Sequence, residues 1–470
     1  MAGKLYVLER AVLDTLTIGG TTVAQLTEGL QTTLDSGASQ LDPHHFTVGR
    51  FAPLLTLDTL DVKAVMDVAW GSSRVVPHIP IDPTKPLYLY LSQVADGGTR
   101  SGGSTNIRLI IYKGVIELVG VRAGEGMRAV LSLRVHCDGS SSGYAIETGT
   151  GVALPAGSGG PAAIWRVAGI INNTDGSNTI RRVREFSLDF GIGVSRALAA
   201  SHLEPLDSSV DRFAPTAQFT TEALKSVLDW TGVTNAVAAG AGFRFVLAPY
   251  TAGGIGFASA GGISFDFLAG SMIVPRTVGF DHGAGATINC DVLGIGTETG
   301  LSATYRPLSY STGVTCPIDS PDAADSQRYG PGPCFDNTTL ITELVSGSIS
   351  FGCETKLYYA MSVPWPVHGC VTRRTPMCSF SALNGDFYET LIGTRGRAVD
   401  TSFRIFMRKH TADGHGVADA TASHIKFAFD GGMIMPAGIG GQSDEMQRHG
   451  FTVTNVTNAA MTLATASAIS

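Results

Sequence analysis

The fold this sequence predicts is mainly β: three tandem β-sandwich domains, each with one short helix. Three observations carry that expectation. Landmarks recur along the chain: Pro53, Pro215 and Pro376 lie 162 and 161 residues apart, and Gly29, Gly191 and Gly352 keep the same spacings. Ala95-Asp96-Gly97, Ala252-Gly253-Gly254 and Ala412-Asp413-Gly414 follow at spacings of 157 and 160, close to one third of the 470 residues. Apolar and polar residues alternate through the matched segments, the period of a strand with one face in a core. Glycine makes up 58 of 470 residues with no Gly-X-Y period, which fits many tight turns and excludes collagen. Repeats this long exceed solenoid units, so each copy predicts a domain, at 1–165, 166–325 and 326–470.

The elements of each copy follow in order. A first strand ends at the matched glycine, with Phe186, Leu188 and Phe190 alternating in copy two and Ile349 and Phe351 in copy three. Copy one has the weaker residues 21–29. Arg50-Phe51-Ala52-Pro53 and Arg212-Phe213-Ala214-Pro215 are identical, and Arg373-Arg374-Thr375-Pro376 is their counterpart. Proline removes a backbone donor and suits the end or edge of a strand. A short helix is expected over 220–230, where Leu224, Val227 and Leu228 form one stripe, with Thr220 or Thr221 as N-cap and Gly232 as the stop. Its counterparts are 57–67, with Val62, Val65 and Met66, and the shorter 386–393.

A strand then runs to a Gly-rich turn (87–91, 243–247, 403–407), and a return strand follows (107–112, 263–267, 425–429). Met272-Ile273-Val274-Pro275 matches Met433-Ile434-Met435-Pro436, with Ile116-Glu117-Leu118-Val119 in copy one. Final strands are expected over 129–135, 286–292 and 450–456, and Gly/Pro-rich linkers over 155–161 and 321–333. Two sheets face to face, with the helix covering an edge, satisfy this pattern.

Composition narrows the function. Charged residues are 16% of the chain, against about 25% in an average soluble domain. The net charge of -7 argues against a duplex binder with a broad basic footprint. No signal peptide and no apolar run of membrane-spanning length is visible, so synthesis in a cytosol is expected. Cys137 and Cys290 sit in strand-like segments as small core residues. The spacings of Cys316, Cys334, Cys353, Cys370 and Cys378 contain no Cys-x-x-Cys, so zinc is not expected, and their redox state stays open.

Signatures of catalysis are missing or misplaced. Neither a P-loop nor His-Glu-x-x-His occurs. Gly139-Ser140-Ser141-Ser142-Gly143 matches a nucleophile elbow in letters, but no helical stripe follows it, so a turn is expected. Gly254-Ile255-Gly256 lacks the third glycine of a dinucleotide loop. His44-His45 would point to opposite faces if they lay in a strand, and a loop pair is expected, while His282, His410, His415, His424 and His449 fall in turn-like regions. Trp70 and Trp230 follow the repeated helix and are expected to plug a core or interface. No catalytic, cofactor-binding or metal residue is assigned, and no enzyme is expected.

A β-sandwich of about 150 residues with one short mid-domain helix and long Gly-tipped hairpins resembles the tail-tube protein of long-tailed bacteriophages. The resemblance covers most of the chain and rests on the repeated pattern. It implies a virion structural protein, made in the host cytoplasm, whose hairpins join between subunits into a β-barrel around a channel for the genome. It implies rings or tubes by self-association, contact with tape-measure, tail-tip and terminator proteins, and passage of DNA without specific binding. Three copies per chain depart from the usual one or two, so ring stoichiometry stays open. The docking hairpins are expected around Gly97-Gly98, Gly253-Gly254 and Asp413-Gly414, with a further Gly-tipped turn at Gly19-Gly20. Two other readings stay open at this point: another repeated-domain particle protein (distal tail, decoration or adhesion), and a hydrolase with tandem binding modules.

Overall fold

The computed structural model describes residues 5–27, 29–35, 45–71, 74–94, 103–139, 144–155, 163–172, 179–180, 182–199, 202–231, 242–250, 258–317, 328–383, 385–394, 396–398, 402–411, 414–440, 447–455 and 461–469. They are mainly β, in antiparallel sheets packed in layers, with three short α-helices among them.

One large sheet runs through all three copies, and each contributes four strands in the same spatial order. The leading strands are Thr21–Thr27, Val183–Asp189 and Leu344–Ser350. Next come the second strands, Leu54–Thr59, Thr216–Thr221 and Met377–Ala382. Beside them lie the inner strands, Met127–Cys137, Thr287–Leu293 and Arg448–Thr454. The trailing strands, Gly114–Gly124, Met272–Asp281 and Met433–Gly440, complete each set. The short strands His78–Ile81 and Arg397–Ala398 add to the trailing strands of copies one and three.

Each copy also builds a smaller five-stranded sheet, again in one repeated order. In copy two that order is Thr179–Ile180, Trp165–Asn172, Phe243–Pro249, Gly262–Phe267 and Leu308–Val314. The smaller sheet faces the large one, and aromatic rings fill the space between: Phe245 stacks on Phe186 at 4.7 Å and meets Phe219 at 5.9 Å. Phe403 against Phe380 at 5.6 Å repeats the contact in copy three. Offset and tilted ring pairs of this kind add about 0.5–1.5 kcal/mol beyond the area they bury.

The matched glycine and proline bracket a two-stranded arm that leaves the large sheet. The arms are Leu30–Asp35 with His45–Phe51, Ile192–Ala197 with Asp207–Phe213, and Cys353–Tyr359 with Pro366–Arg374. Gly29, Gly191 and Gly352 all adopt a left-handed conformation, at φ of 59°, 57° and 58°. A side chain there would sit 2.1–2.4 Å from the carbonyl oxygen of Ala52, Ala214 or Thr375, so glycine is required on steric grounds as well.

Several expectations shift. The helices begin later than the expected ranges, at Val62–Trp70 and Leu224–Thr231, each on the first residue of its apolar stripe. Residues 57–59 and 220–221 belong to strands in which Leu55, Leu57 and Thr59, or Ala217, Phe219 and Thr221, point inward with period two. Thr221 makes the turn into the helix: its hydroxyl accepts from the Ala223 amide at 3.1 Å and donates to the Arg182 carbonyl at 2.6 Å. Thr59 does the same with the Asp61 amide (3.0 Å) and the Gly19 carbonyl (2.6 Å). Gly232 lies outside the described residues.

The expected first strand of each copy is preceded by strands of the smaller sheet, such as Leu5–Leu13, and the expected final strand is followed by another, such as Glu147–Val152. The linker expected over 321–333 is in part a strand, Arg328–Asp336, paired with Phe403–His410. Its prolines are accommodated by a register shift between Pro331 and Cys334. The boundary after residue 165 falls at the start of Trp165–Asn172, and that after residue 325 lies outside the described residues.

Candidate assembly interface

The copies meet by strand pairing. The trailing strand of copy one pairs antiparallel with the leading strand of copy two, from Gly120 opposite Asp189 to Gly124 opposite Glu185. The trailing strand of copy two pairs with the leading strand of copy three, from Thr277 opposite Ser350 to Asp281 opposite Ser346. Both seams are closed at each end by further backbone bonds. Phe190 N–H donates to Val119 O and Phe351 N–H to Arg276 O, each at 3.0 Å. At the other end Glu125 donates to Arg184 O and His282 to Val345 O, each at 2.7 Å. Val121 faces Leu188 across the first seam, Val278 faces Ile349 across the second, and all four are buried. Each seam is thus an uninterrupted stretch of hydrogen-bonded sheet with an apolar inner face.

The arms reinforce the seams, because the arm of each later copy reaches back over the copy before it. Phe51 N–H donates to Leu203 O and Gly139 N–H to Pro205 O, both at 2.8 Å. The next arm repeats this, with Phe213 N–H to Pro364 O at 2.8 Å and Gly296 N–H to Pro366 O at 2.9 Å.

Side-chain chemistry differs between the two. In the first arm contact Arg196 reaches the Ala52 and Pro53 carbonyls at 3.3 Å, the Cys137 carbonyl, and the buried Asp138 at 3.6 Å. Ser208 donates to Asp138 at 2.7 Å, and Lys113 donates to the Leu206 carbonyl at 2.6 Å. Burial pushes the Asp138 carboxyl above its usual range, with the Ser208 hydrogen bond and the Arg196 charge opposing; burial also lowers Arg196. In the second arm contact Ile295 occupies the place of Asp138, Leu357 that of Arg196 and Trp365 that of Glu204. Trp365 is fully buried and its indole N–H donates to the Thr297 carbonyl at 3.0 Å.

Opposite the core, the large sheet presents a polar face. Thr56, Ser132, Ser187, Gln218, Asn289 and Ser348 are among the outward side chains, none of them buried. Several charges there are paired: Arg276 with Asp291 at 2.6 Å, Arg134 with Glu117 at 3.2 Å, Arg122 with Asp58 at 3.9 Å. A groove of about 360 Å³ lined by Ser187, Asp189, Thr216, Gln218 and Asp291 hollows this face in the middle of the sheet.

The docking hairpins expected from the sequence fall largely outside the described residues. Gly97-Gly98, Gly253-Gly254 and Asp413 lie outside the described residues; Gly414 is in a turn at φ 81°. The strands that do join the copies run on from the repeated Met-Ile-x-Pro motif, and their alternation over 276–281 was the available signal. Trp70 packs against Phe190, Phe213 and Tyr310 of copy two and is an interface plug, while Trp230 packs on Phe243 within copy two. Cys137, Cys290, Cys316, Cys334, Cys353 and Cys378 are buried free thiols, and Cys370 is half-buried and free. Gly139 begins the elbow-like run beside Glu204, and residues 140–143 and 254–256 lie outside the described residues. His424 is buried within the third smaller sheet, its Nδ1 bonded to the Lys409 amide at 3.1 Å, and His45 lies in an arm strand. Among the described residues no group of three or more His, Cys, Asp or Glu is placed to hold a metal, and no helix is long and apolar enough to cross a membrane. No protein-family model matches this chain, and no curated protein matches it.

Proposed function

We propose that this chain is a structural protein of the virion that self-assembles into the tail tube of a long-tailed bacteriophage, its large sheet forming part of the wall of the channel for the genome. The observation that carries the reading is the continuity of that sheet: four strands per copy, joined through two hydrogen-bonded seams. Such a sheet is a segment of wall, and an open sheet this wide ends in edges that invite pairing with another chain.

The polar face supports the same reading. Its hydroxyls and paired charges offer a passing duplex no run of unpaired basic side chains, so phosphates meet little that would hold them. In copy three the outward residues include Ser346, Ser348, Ser350, Ser379, Ser381, Thr452 and Thr454, with Met377 and Met433 beside Thr454 and Arg448 at the end of its strand. The opposite face is the one covered by the smaller sheets, which leaves the polar face to turn inward. Electron microscopy of the purified chain at rising concentration tests this. Rings or hollow tubes with a bore near the width of a duplex are expected; separate particles at every concentration would overturn it.

A further inference from the structure

The two seams inside the chain leave one trailing strand, Met433–Gly440, and one leading strand, Thr21–Thr27, without the corresponding partner among the described residues. Their register against each other can be read from the copies that are paired. Every trailing strand carries a β-bulge against its inner strand at the same point, between Leu118 and Gly120, Pro275 and Thr277, and Pro436 and Gly438. Every leading strand carries one against its second strand, between Thr21 and Val23, Val183 and Glu185, and Leu344 and Ser346. Bulges pin position along a strand. Gly438 therefore stands where Gly120 and Thr277 stand, and Thr27 where Asp189 and Ser350 stand.

We propose that Thr21–Thr27 of a second copy of this chain pairs antiparallel with the outer edge of Met433–Gly440, with Gly438 opposite Thr27, Ile439 opposite Leu26 and Gly440 opposite Gln25. This rests on the assembly reading above and gives it a residue-level seam. Burial points to the same pair. Val121 and Leu188, and Val278 and Ile349, are at most 2% exposed in the internal seams, whereas their counterparts Ile439 and Leu26 are 56% and 38% exposed. The leading strand has no charged residue between Thr21 and Thr27 and exposes Val23 as well as Leu26. An edge so lacking in charge is what a protein keeps for a partner strand. The contact joins unlike ends of identical chains, so it propagates head to tail into a ring or a helix.

The test mixes two separately purified chains, one carrying Gln25→Cys and the other Gly440→Cys, followed by mild oxidation and mass spectrometry of the linked peptides. Both sites are open: Gln25 is exposed, and a side chain at Gly440 would meet nothing within 4 Å. Directly opposed residues of an antiparallel pair lie within disulfide reach, whereas diagonal ones do not. A 25–440 disulfide between different chains is expected, with Thr27→Cys failing to link to Gly440→Cys. Assemblies visible by microscopy in which 25–440 stays reduced would overturn the register while leaving the assembly reading standing. Absence of any assembly would overturn both. As a second arm, Ile439→Lys is expected to abolish assembly with an unchanged circular dichroism spectrum; full assembly of that variant would also count against the seam.

Discussion

The two arm contacts share one backbone and differ in nearly everything else. Gly139 and Gly296 each donate to an arm proline carbonyl, and Phe51 and Phe213 each donate two residues earlier on the same arm. Around that common frame, Asp138, Arg196 and Glu204 in the first contact become Ile295, Leu357 and Trp365 in the second. The backbone geometry is set by the fold, whereas the side chains decide which arm suits which groove. The ionic arm placed over Ile295 would leave Arg196 without a carboxylate, and the Trp365 arm over the first groove would leave Asp138 buried and unpaired. Each mismatch strands a charge, at a cost of several kcal/mol, so the contacts exclude each other's arms. That is a reason for three like copies to stay in one order while sharing one fold.

Trp365→Ala should have the largest effect. It empties the buried site against Gly296 and Thr297 and should cost about 3–5 kcal/mol, read as loss of hydrogen-exchange protection at the Phe213 and Gly296 amides with Phe51 and Gly139 unaffected. Arg196→Ala should do the reverse. It should expose the Phe51 and Gly139 amides at a cost of about 2–3 kcal/mol, less than for a fully enclosed pair, because the Arg196 side chain is 12% exposed and Asp138 can take up a proton. Converting the first contact into the second, with Asp138→Ile and Arg196→Leu together, should bring stability back to within about 1 kcal/mol of the parent or above it. A double variant as damaged as Arg196→Ala alone would show that the ion pair does more than match its groove.

The smallest effect concerns pH. Burial raises the Asp138 carboxyl above its unfolded value, so the folded chain binds more protons there than the unfolded one. Stability from this group is complete below the unfolded pKa, about 3.9, and is lost as pH rises through the folded value. Asp138→Asn should flatten that decline in a melting-temperature profile, and an unchanged slope would remove Asp138 as its source.

Much of the fold was legible from the sequence. The three matched glycines mark a left-handed turn that no side chain can enter, and the matched prolines mark the return from each arm into a second strand. Alternation at 186, 188 and 190 gave the inward face of a leading strand. The expected helices started too early because Leu55, Leu57 and Thr59 satisfy a strand, and pairing with residues 131–136 draws that segment into the sheet. The pairing across the seams was not legible, because alternation over 276–281 marks a strand but not its partner far along the chain. Ile439 and Leu26 look like ordinary strand residues until their buried counterparts are known. The joining groups are backbone amides and carbonyls, which every sequence has.

Whether the large sheet runs on from one chain into its neighbours is decided by a cryo-electron microscopy reconstruction of the assembled protein. Strand density is expected to continue without a break from Met433–Gly440 of one copy into Thr21–Thr27 of the next, with the hydroxyl-lined face toward the bore. A break in the sheet at that boundary, or the smaller sheets lining the bore, would contradict it.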